Sequence, residues 1–405
     1  MPNITDEIAD RYPHIAFRRQ WEMPPELAEL LGRAQGLVEA IGAIPLFPEV
    51  RLRLHGVSLR KGARATAAIE GNTLSEEEVA RVAAGAALPD YKGYEAREME
   101  NIIRALNQVF DALVAGSPPE LISPELLRRF HDAIGRGLGE GFGAVPGQFA
   151  QSQRSVGPYR APRPEDVPAL VDRMCEWLRH EFRFPNQSFT QAIVQAIVTH
   201  VYIEWIHPFD DGNGRTGRMV EFYILARAKL PSVASHLLAN HYNDTRAEYY
   251  RQLDQAGKSS NLTAFLLYAI RGLANGLGST LNVVLESVFA QMWRSLVYGR
   301  FEGGRGGRVA FRRQRAIALA LPLDRAVTLD EIPTLSAEVA GMYSGVNPRA
   351  IARDVGVLEK LELVVRTPGF VRANRGLLDR MVAQRRDDRG LANRPVAVEA
   401  DRPHA

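Results

Sequence analysis

The sequence predicts a mainly α-helical protein with a small β-hairpin set into its middle and a smaller α+β module toward its C-terminal end. Three observations lead there. Apolar residues recur at helical spacing through most of the chain up to about residue 297; in 24–41, for example, Leu27, Leu30, Leu31, Ala34, Leu37, Val38 and Ile41 form one face. A stretch at 143–162 is bracketed by glycine and proline and alternates polar with apolar residues, the pattern of a hairpin rather than a helix. After a glycine-rich run at 301–308 the pattern changes to short helices followed by a second hairpin around Pro368 and Gly369.

Taken in order, prolines (Pro13, Pro24, Pro25, Pro45, Pro48) punctuate the first helices. A helix over 56–68 ends at Glu70-Gly71-Asn72, with Gly71 suited to the left-handed position after a helix. Ser75 and Glu78 make a capping box that restarts one. Helices over 95–114 and 123–135 lead into the hairpin, and a helix beginning at 164–168 follows it and carries Cys175. Over 188–205, Ile193, Ile197, Val201 and Trp205 mark a core helix, which Pro208 must stop. The next helix starts near Arg215, with Thr216, Met219, Val220, Tyr223 and Ile224. Helices over 262–277 and 281–297 complete this part. In the C-terminal module, helices are expected over 315–321 and 336–343, then one opened by Asn347 as cap and Pro348 at its first position, burying Ile351, Val355 and Leu358. Beyond about 384 the chain is charged and aperiodic, and disorder is expected there.

Composition narrows the function. A chain of 405 residues has room for two or three domains, and its 46% apolar and 24% charged residues are those of an ordinary soluble globular protein. A single cysteine excludes an internal disulfide and fits a reducing compartment; on an amphipathic helix, Cys175 reads as a buried thiol. There is no apolar run long enough to span a bilayer, and the acidic N-terminal segment lacks the layout of a signal peptide, so a cytoplasmic location without membrane contact is expected. A net charge of +3 excludes general attraction to nucleic acid, but arginines crowd 300–315 and recur at Arg349, Arg353, Arg366 and Arg372.

The stretch that organises the chain runs over 206–218. It places His207, Asp210, Asp211, Gly212, Asn213, Gly214, Arg215, Gly217 and Arg218 in and just after one turn between two helices. Unpaired N–H groups and the macrodipole at a helix N-terminus favour an anion, so this reads as a phosphate site with a base beside it.

The run resembles the signature of the Fic family (filamentation induced by cAMP), His-Pro-Phe-x-Asp/Glu-Gly-Asn-Gly-Arg-x-x-Arg, and meets every fixed position from His207 to Arg218. The resemblance implies a Fic-type helical bundle whose hairpin is a flap aligning a target segment by strand addition. It implies transfer of AMP from ATP to a serine, threonine or tyrosine hydroxyl of a protein. In that reading His207 is the general base and Asp211 holds Mg²⁺. Gly212, Asn213 and Gly214 cradle the phosphates, while Arg215 and Arg218 neutralise the pyrophosphate. Asp210 fills the variable position and receives no metal role.

Thr66-Ala-Ala-Ile-Glu70-Gly71-Asn72 resembles the family's inhibitory motif, Ser/Thr-x-x-x-Glu-Gly/Asn-Asn, with Thr66, Glu70 and Asn72 at fixed positions. This implies that Glu70 pairs with Arg218 and blocks the productive pose of the γ-phosphate. The segment with Arg246, Tyr249 and Tyr250 resembles the family's nucleobase segment, where a tyrosine stacks on adenine; equally, both tyrosines are core residues of an amphipathic helix. The C-terminal module resembles a winged helix-turn-helix, whose second helix exposes Arg349 and Arg353 to DNA or serves protein docking.

The expected organisation is an N-terminal helical region with the inhibitory helix (1–92), a Fic catalytic domain (93–298), a linker (299–310), a winged helix (311–380) and a tail (381–405). The expected function is a protein adenylyltransferase self-inhibited through Glu70. A DNA-binding regulator with a nucleotide-sensing Fic domain, a Fic enzyme using another nucleotide, and one that removes AMP are the alternatives. ATP is the expected substrate, Mg²⁺ the cofactor and a hydroxyl-bearing protein the partner; the protein itself, DNA and a second copy of the chain are further candidates.

Overall fold

The computed structural model describes residue 8 and residues 11–116, 120–157, 159–302, 308–347 and 349–380; the expected tail lies outside them. The chain forms two compact units, Met1–Val284 and Leu285–Ala405. As expected, the architecture is mainly helical with small antiparallel hairpins.

The first unit contains α1 (Pro25–Ala43), α2 (Pro48–Ile69), α3 (Glu76–Ala83), α4 (Gly93–Val114), α5 (Pro124–Gly135) and α6 (Val167–His180). These are followed by α7 (Ser188–Ile206), α8 (Asn213–Arg227), α9 (Leu237–Asp244), α10 (Arg246–Ser259) and α11 (Thr263–Phe301), whose residues from Leu285 onward belong to the second unit. Prolines stand in the first turns of α1, α2, α5 and α6, where their missing N–H leaves no bond unmade. Ser75 and Glu78 form the expected capping box at α3. Gly71 takes a φ of 104° after α2, as its place predicted.

The centre is the antiparallel pair α7 and α8. Most of α7 from Ile193 onward is buried, Thr199 and His200 included, and α8 is buried from Asn213 to Leu225. A helix enclosed on every side belongs to the middle of a bundle. Enclosing Arg215 and Arg218 requires partners for their charges, because an unpaired buried charge costs several kcal/mol. Gly217 permits the close approach of the two helices: a β-carbon there would lie 3.3 Å from His200 Nδ1. Helix α2 packs on α4, α8 and α9, and α5 packs on α4 and α8. This brings the ends of α2 and α5 to the α7–α8 turn. Cys175 is buried as expected, and burial pushes its thiol up to about 12.

The first hairpin is short, β1 (Ser155–Val156) against β2 (Tyr159–Arg160). The two helices expected over 262–277 and 281–297 are one continuous helix, α11. Its glycines serve close packing rather than a break: a β-carbon at Gly272 would collide with His241, and one at Gly276 would lie 3.1 Å from Leu237.

In the second unit, α12 (Arg308–Ala320) starts earlier than the expected 315, and α11 runs on to Phe301, so both enter the stretch assigned to a linker. Ser336 caps α13 (Ala337–Tyr343) through the Val339 N–H at 3.2 Å, and Asn347 accepts from the N–H of Arg349 ahead of α14 (Arg349–Lys360). Strands β3 (Val364–Thr367) and β4 (Phe370–Ala373) close through the expected turn at Pro368 and Gly369, and Val327 pairs with Val371. Asp354 is buried and accepts from Arg313 (2.5 Å), Gln314 (2.8 Å) and Tyr343 (2.7 Å), tying α12, α13 and α14 together.

Candidate active site

The site lies where α7 ends and α8 begins. His207 follows the last residue of α7 with a left-handed backbone (φ 50°), and Pro208 prevents the helix from continuing. A non-glycine residue held in that region costs about 1–3 kcal/mol, a strain that recurs at functional positions. Phe209 is fully buried and anchors the turn. Gly212, φ 79°, is the N-cap residue of α8. The first N–H groups of α8 have no intrahelical partner, and they meet at this turn with His207, Asp211, Arg215 and Arg218.

Asn213 departs from its expected role in the cradle. Its amide closes the turn instead, Oδ1 accepting from the Phe209 N–H (2.9 Å) and Nδ2 donating to the Phe209 carbonyl (2.8 Å). What Asn213 offers an anion is its backbone.

The two arginines are buried and paired differently. Arg215 donates to Glu98 on α4 and to Asp211 (2.7 Å), and its guanidinium lies 5.1 Å from the Phe142 ring. Arg218 donates to Glu70 (2.5 Å) and to the Thr66 carbonyl (3.0 Å). Burial works against the charge on Arg218, but Glu70 and other neighbouring acids outweigh it and raise its pKa. Glu70 is the residue just after α2, and its carboxylate hangs over the start of α8 so closely that a β-carbon on Gly214 would collide with it. A carboxylate thus stands where the helix N-terminus invites an anion.

Asn72, the last residue of the inhibitory pattern, donates to Glu98 (2.8 Å) and to the Glu95 carbonyl (3.1 Å). Glu98 is a residue that sequence reasoning passed over: it joins the end of the α2 segment to Arg215. A single glutamate on an amphipathic helix carries no signal of this.

Asp211 is partly exposed; its Oδ1 accepts from Arg215 and from the Gly212 N–H. Among the described residues no group of three or more histidine, cysteine or acidic side chains forms a metal cage. A lone carboxylate beside an anion site suits Mg²⁺ carried largely by phosphate and water.

His207 is half-buried, and among the described residues its Nδ1 has no hydrogen-bond partner. Burial lowers its pKa below the ordinary 6.5, while the Glu204 carbonyl and Glu70 oppose that shift. The ring is therefore neutral at pH 7, as a base must be.

Asp210 also acquires a role missed in the sequence. It accepts from the Gln151 N–H (3.1 Å), Ser152 Oγ (2.9 Å) and Arg154 Nε (2.9 Å), and the Ala150 N–H donates to the Pro208 carbonyl (2.9 Å). These bonds fasten the segment leading into the hairpin along the turn.

Of the two candidate tyrosines, Tyr249 belongs to the core. It is 1% exposed, and its hydroxyl bonds His200 Nε2 at 2.9 Å. It has no face open to a nucleobase, because it packs inward against His200, Tyr242 and Phe265. Tyr250 is 42% exposed and reaches the Ile69 carbonyl at 3.3 Å, beside the end of α2. Under the turn, burial raises Glu204 to about 7 and Glu221 to about 8, the latter accepting from Tyr242 (2.9 Å).

Residues 121–225 match the Fic/DOC family. The chain is 30% identical over 207 residues to a protein adenylyltransferase fic-1 of Caenorhabditis briggsae, covering 51% of this chain and 38% of that protein. It is 29% identical to a protein adenylyltransferase Fic of Nematostella vectensis, covering 50% and 44% respectively. The chain thus spans less than half the length of these curated relatives. In structure it is similar to a Fic family protein from Desulfovibrio desulfuricans G20 (TM-score 0.56, 20% identity, 88% of this chain and 98% of that one). It is also similar to Fic-1 of C. elegans (TM-score 0.51, 22% identity, 65% and 72%). At those identities the structures speak for the fold. With the sequence match and the turn described above, residues 121–225 are a Fic domain.

Proposed function

We propose that the chain is a protein adenylyltransferase that transfers AMP from ATP to a protein hydroxyl and is held inactive by Glu70. The observation that carries the reading is the Glu70 carboxylate lying over Gly214 while bonded to Arg218. An acid occupies the anion position, and the guanidinium that should grip a phosphate is engaged.

With Glu70 withdrawn, the N–H groups of Asn213 and Gly214 and the freed Arg218 bind the phosphate chain. Arg215, fixed by Glu98, stabilises negative charge on the leaving group. Neutral His207 takes the proton of the target hydroxyl as its oxygen bonds the α-phosphorus. The α–β bridging bond then breaks and pyrophosphate leaves. Asp211 would hold Mg²⁺, which supplies charge neutralisation when bound. The hairpin fastened by Asp210 presents an edge for the target segment, and Tyr250 is the tyrosine placed to border a base. Label from α-labelled ATP appearing on protein with Glu70→Gly far above wild type supports this; label unchanged by that substitution contradicts it.

We read residues 311–380 as a winged helix, with α14 the helix that would meet DNA, since Arg349 and Arg353 are exposed one turn apart on it. Binding of the full chain to duplex DNA should weaken steeply with salt and fall further in the double alanine variant of these arginines. Retardation of DNA that ignores both changes contradicts the assignment and leaves protein docking.

A further inference from the structure

Gly212 and Gly214 give the turn its shape but also its freedom, since glycine enters either sign of φ at little cost. A flip of the Asp211–Gly212 peptide would swing a carbonyl oxygen toward the anion site and break the bond from the Gly212 N–H to Asp211 Oδ1. The carbonyl end of that peptide has to be held from outside the turn.

His131, on α5, is in the right place. It is fully buried. Its Nδ1 accepts from the Gly147 N–H at 2.9 Å, so the neutral ring carries its proton on Nε2, which donates to the Asp211 carbonyl at 2.9 Å. The ring stacks flat on Phe209, centroids 3.8 Å apart and planes within 2°. A β-carbon at Gly212 would lie 2.8 Å from the Phe142 ring and 3.3 Å from His131, so α5 and the segment after it close on this peptide from behind.

We propose that His131 is a positioning residue: it pins the Asp211 carbonyl away from the anion site and, through Gly147, couples that peptide to the segment entering the hairpin. The inference rests on the proposed nucleotide site but not on catalysis.

The test uses the full chain carrying Glu70→Gly and two further variants, His131→Gln and His131→Asn. The amide of glutamine reaches the Nε2 position and keeps a donor for Asp211; that of asparagine stops at the Nδ1 position and keeps an acceptor for Gly147. Mg·ATP affinity is read by calorimetry, transfer by label and folding by thermal unfolding. His131→Asn should bind Mg·ATP about tenfold more weakly and transfer roughly 10²-fold more slowly, the scale of a 1 Å misplacement. His131→Gln should stay within about threefold of its parent in both, with melting similar in the two variants. Two folded variants that bind equally well, or equally poorly, overturn the proposal. Where His131→Asn does not fold, His131→Gln decides: a tenfold loss of affinity in it overturns the assignment, and retention supports it. If the parent binds Mg·ATP but transfers nothing, the adenylyltransferase reading fails while the affinity comparison still judges His131.

Discussion

Arg215 and Arg218 lie one turn apart on α8 and are both buried, yet different parts of the protein hold them. Arg215 is held by Glu98, which is 3% exposed, and by Asp211 of its own turn. Arg218 is held by Glu70 and the Thr66 carbonyl, both from the end of α2, and the Glu70 side chain is 31% exposed. A carboxylate locked out of water cannot leave its arginine without a large desolvation cost, whereas a partly hydrated one can exchange it for water or for a phosphate. Arg215 is therefore built in, and Arg218 is on loan to Glu70. Asn72 touches Glu98 from the same segment that carries Glu70, so the releasable contact is registered against the permanent one.

The largest effect separates both arginines from the base. In a Glu70→Gly background, His207→Ala should lower transfer by about 10²–10⁴-fold and leave ATP affinity nearly unchanged, because other groups hold the phosphates. A parallel loss of binding would show that His207 belongs with the arginines. The same background carries a pH signature. Burial depresses His207, and removing Glu70 takes away a charge that raised it, so the base form persists below the ordinary 6.5. The rate should stay on its plateau as pH falls through 6.5 and drop only beneath it. A midpoint at or above 6.5 contradicts the assigned environment.

A smaller effect tests the comparison itself. Arg215→Ala leaves Glu98 buried beside Asn72 without its cation, a loss of about 3–5 kcal/mol in stability. Arg218→Ala lets Glu70 turn to water and should cost clearly less. Urea unfolding of both variants at pH 7 reads the difference, and equal costs would erase the distinction between the two arginines.

The parts legible in the sequence were those carried by contiguous residues. The run from His207 to Arg218 and the pattern from Thr66 to Asn72 each show their chemistry locally, and the structure brings Glu70 to Arg218 across 148 positions. The capping box at Ser75 and the turn at Pro368 and Gly369 are likewise local rules obeyed. What escaped was set by packing. Glu98 is 117 positions from Arg215 and His131 is 80 from Asp211, and neither differs by type from an ordinary polar helix residue. Asn213 suits a ligand by residue type, and Tyr249 fits a nucleobase contact and a core place equally well; burial turns both inward. The two helices expected over 262–277 and 281–297 are one, because packing against α9 uses the missing side chain of Gly276 and the helix continues.

In the proposed inhibition Glu70 restrains the pose of ATP through Arg218 more than it restrains binding. The most direct measurement pairs two numbers for wild type and Glu70→Gly: the Kd for Mg·ATP, and the rate of label transfer at saturating Mg·ATP. A misaligned α-phosphorus costs on the order of 10² in rate, so the substitution should raise the rate by about that factor while tightening Kd by no more than a few fold. Equal rates in the two proteins, or a rate gain matched by the gain in affinity, would contradict it.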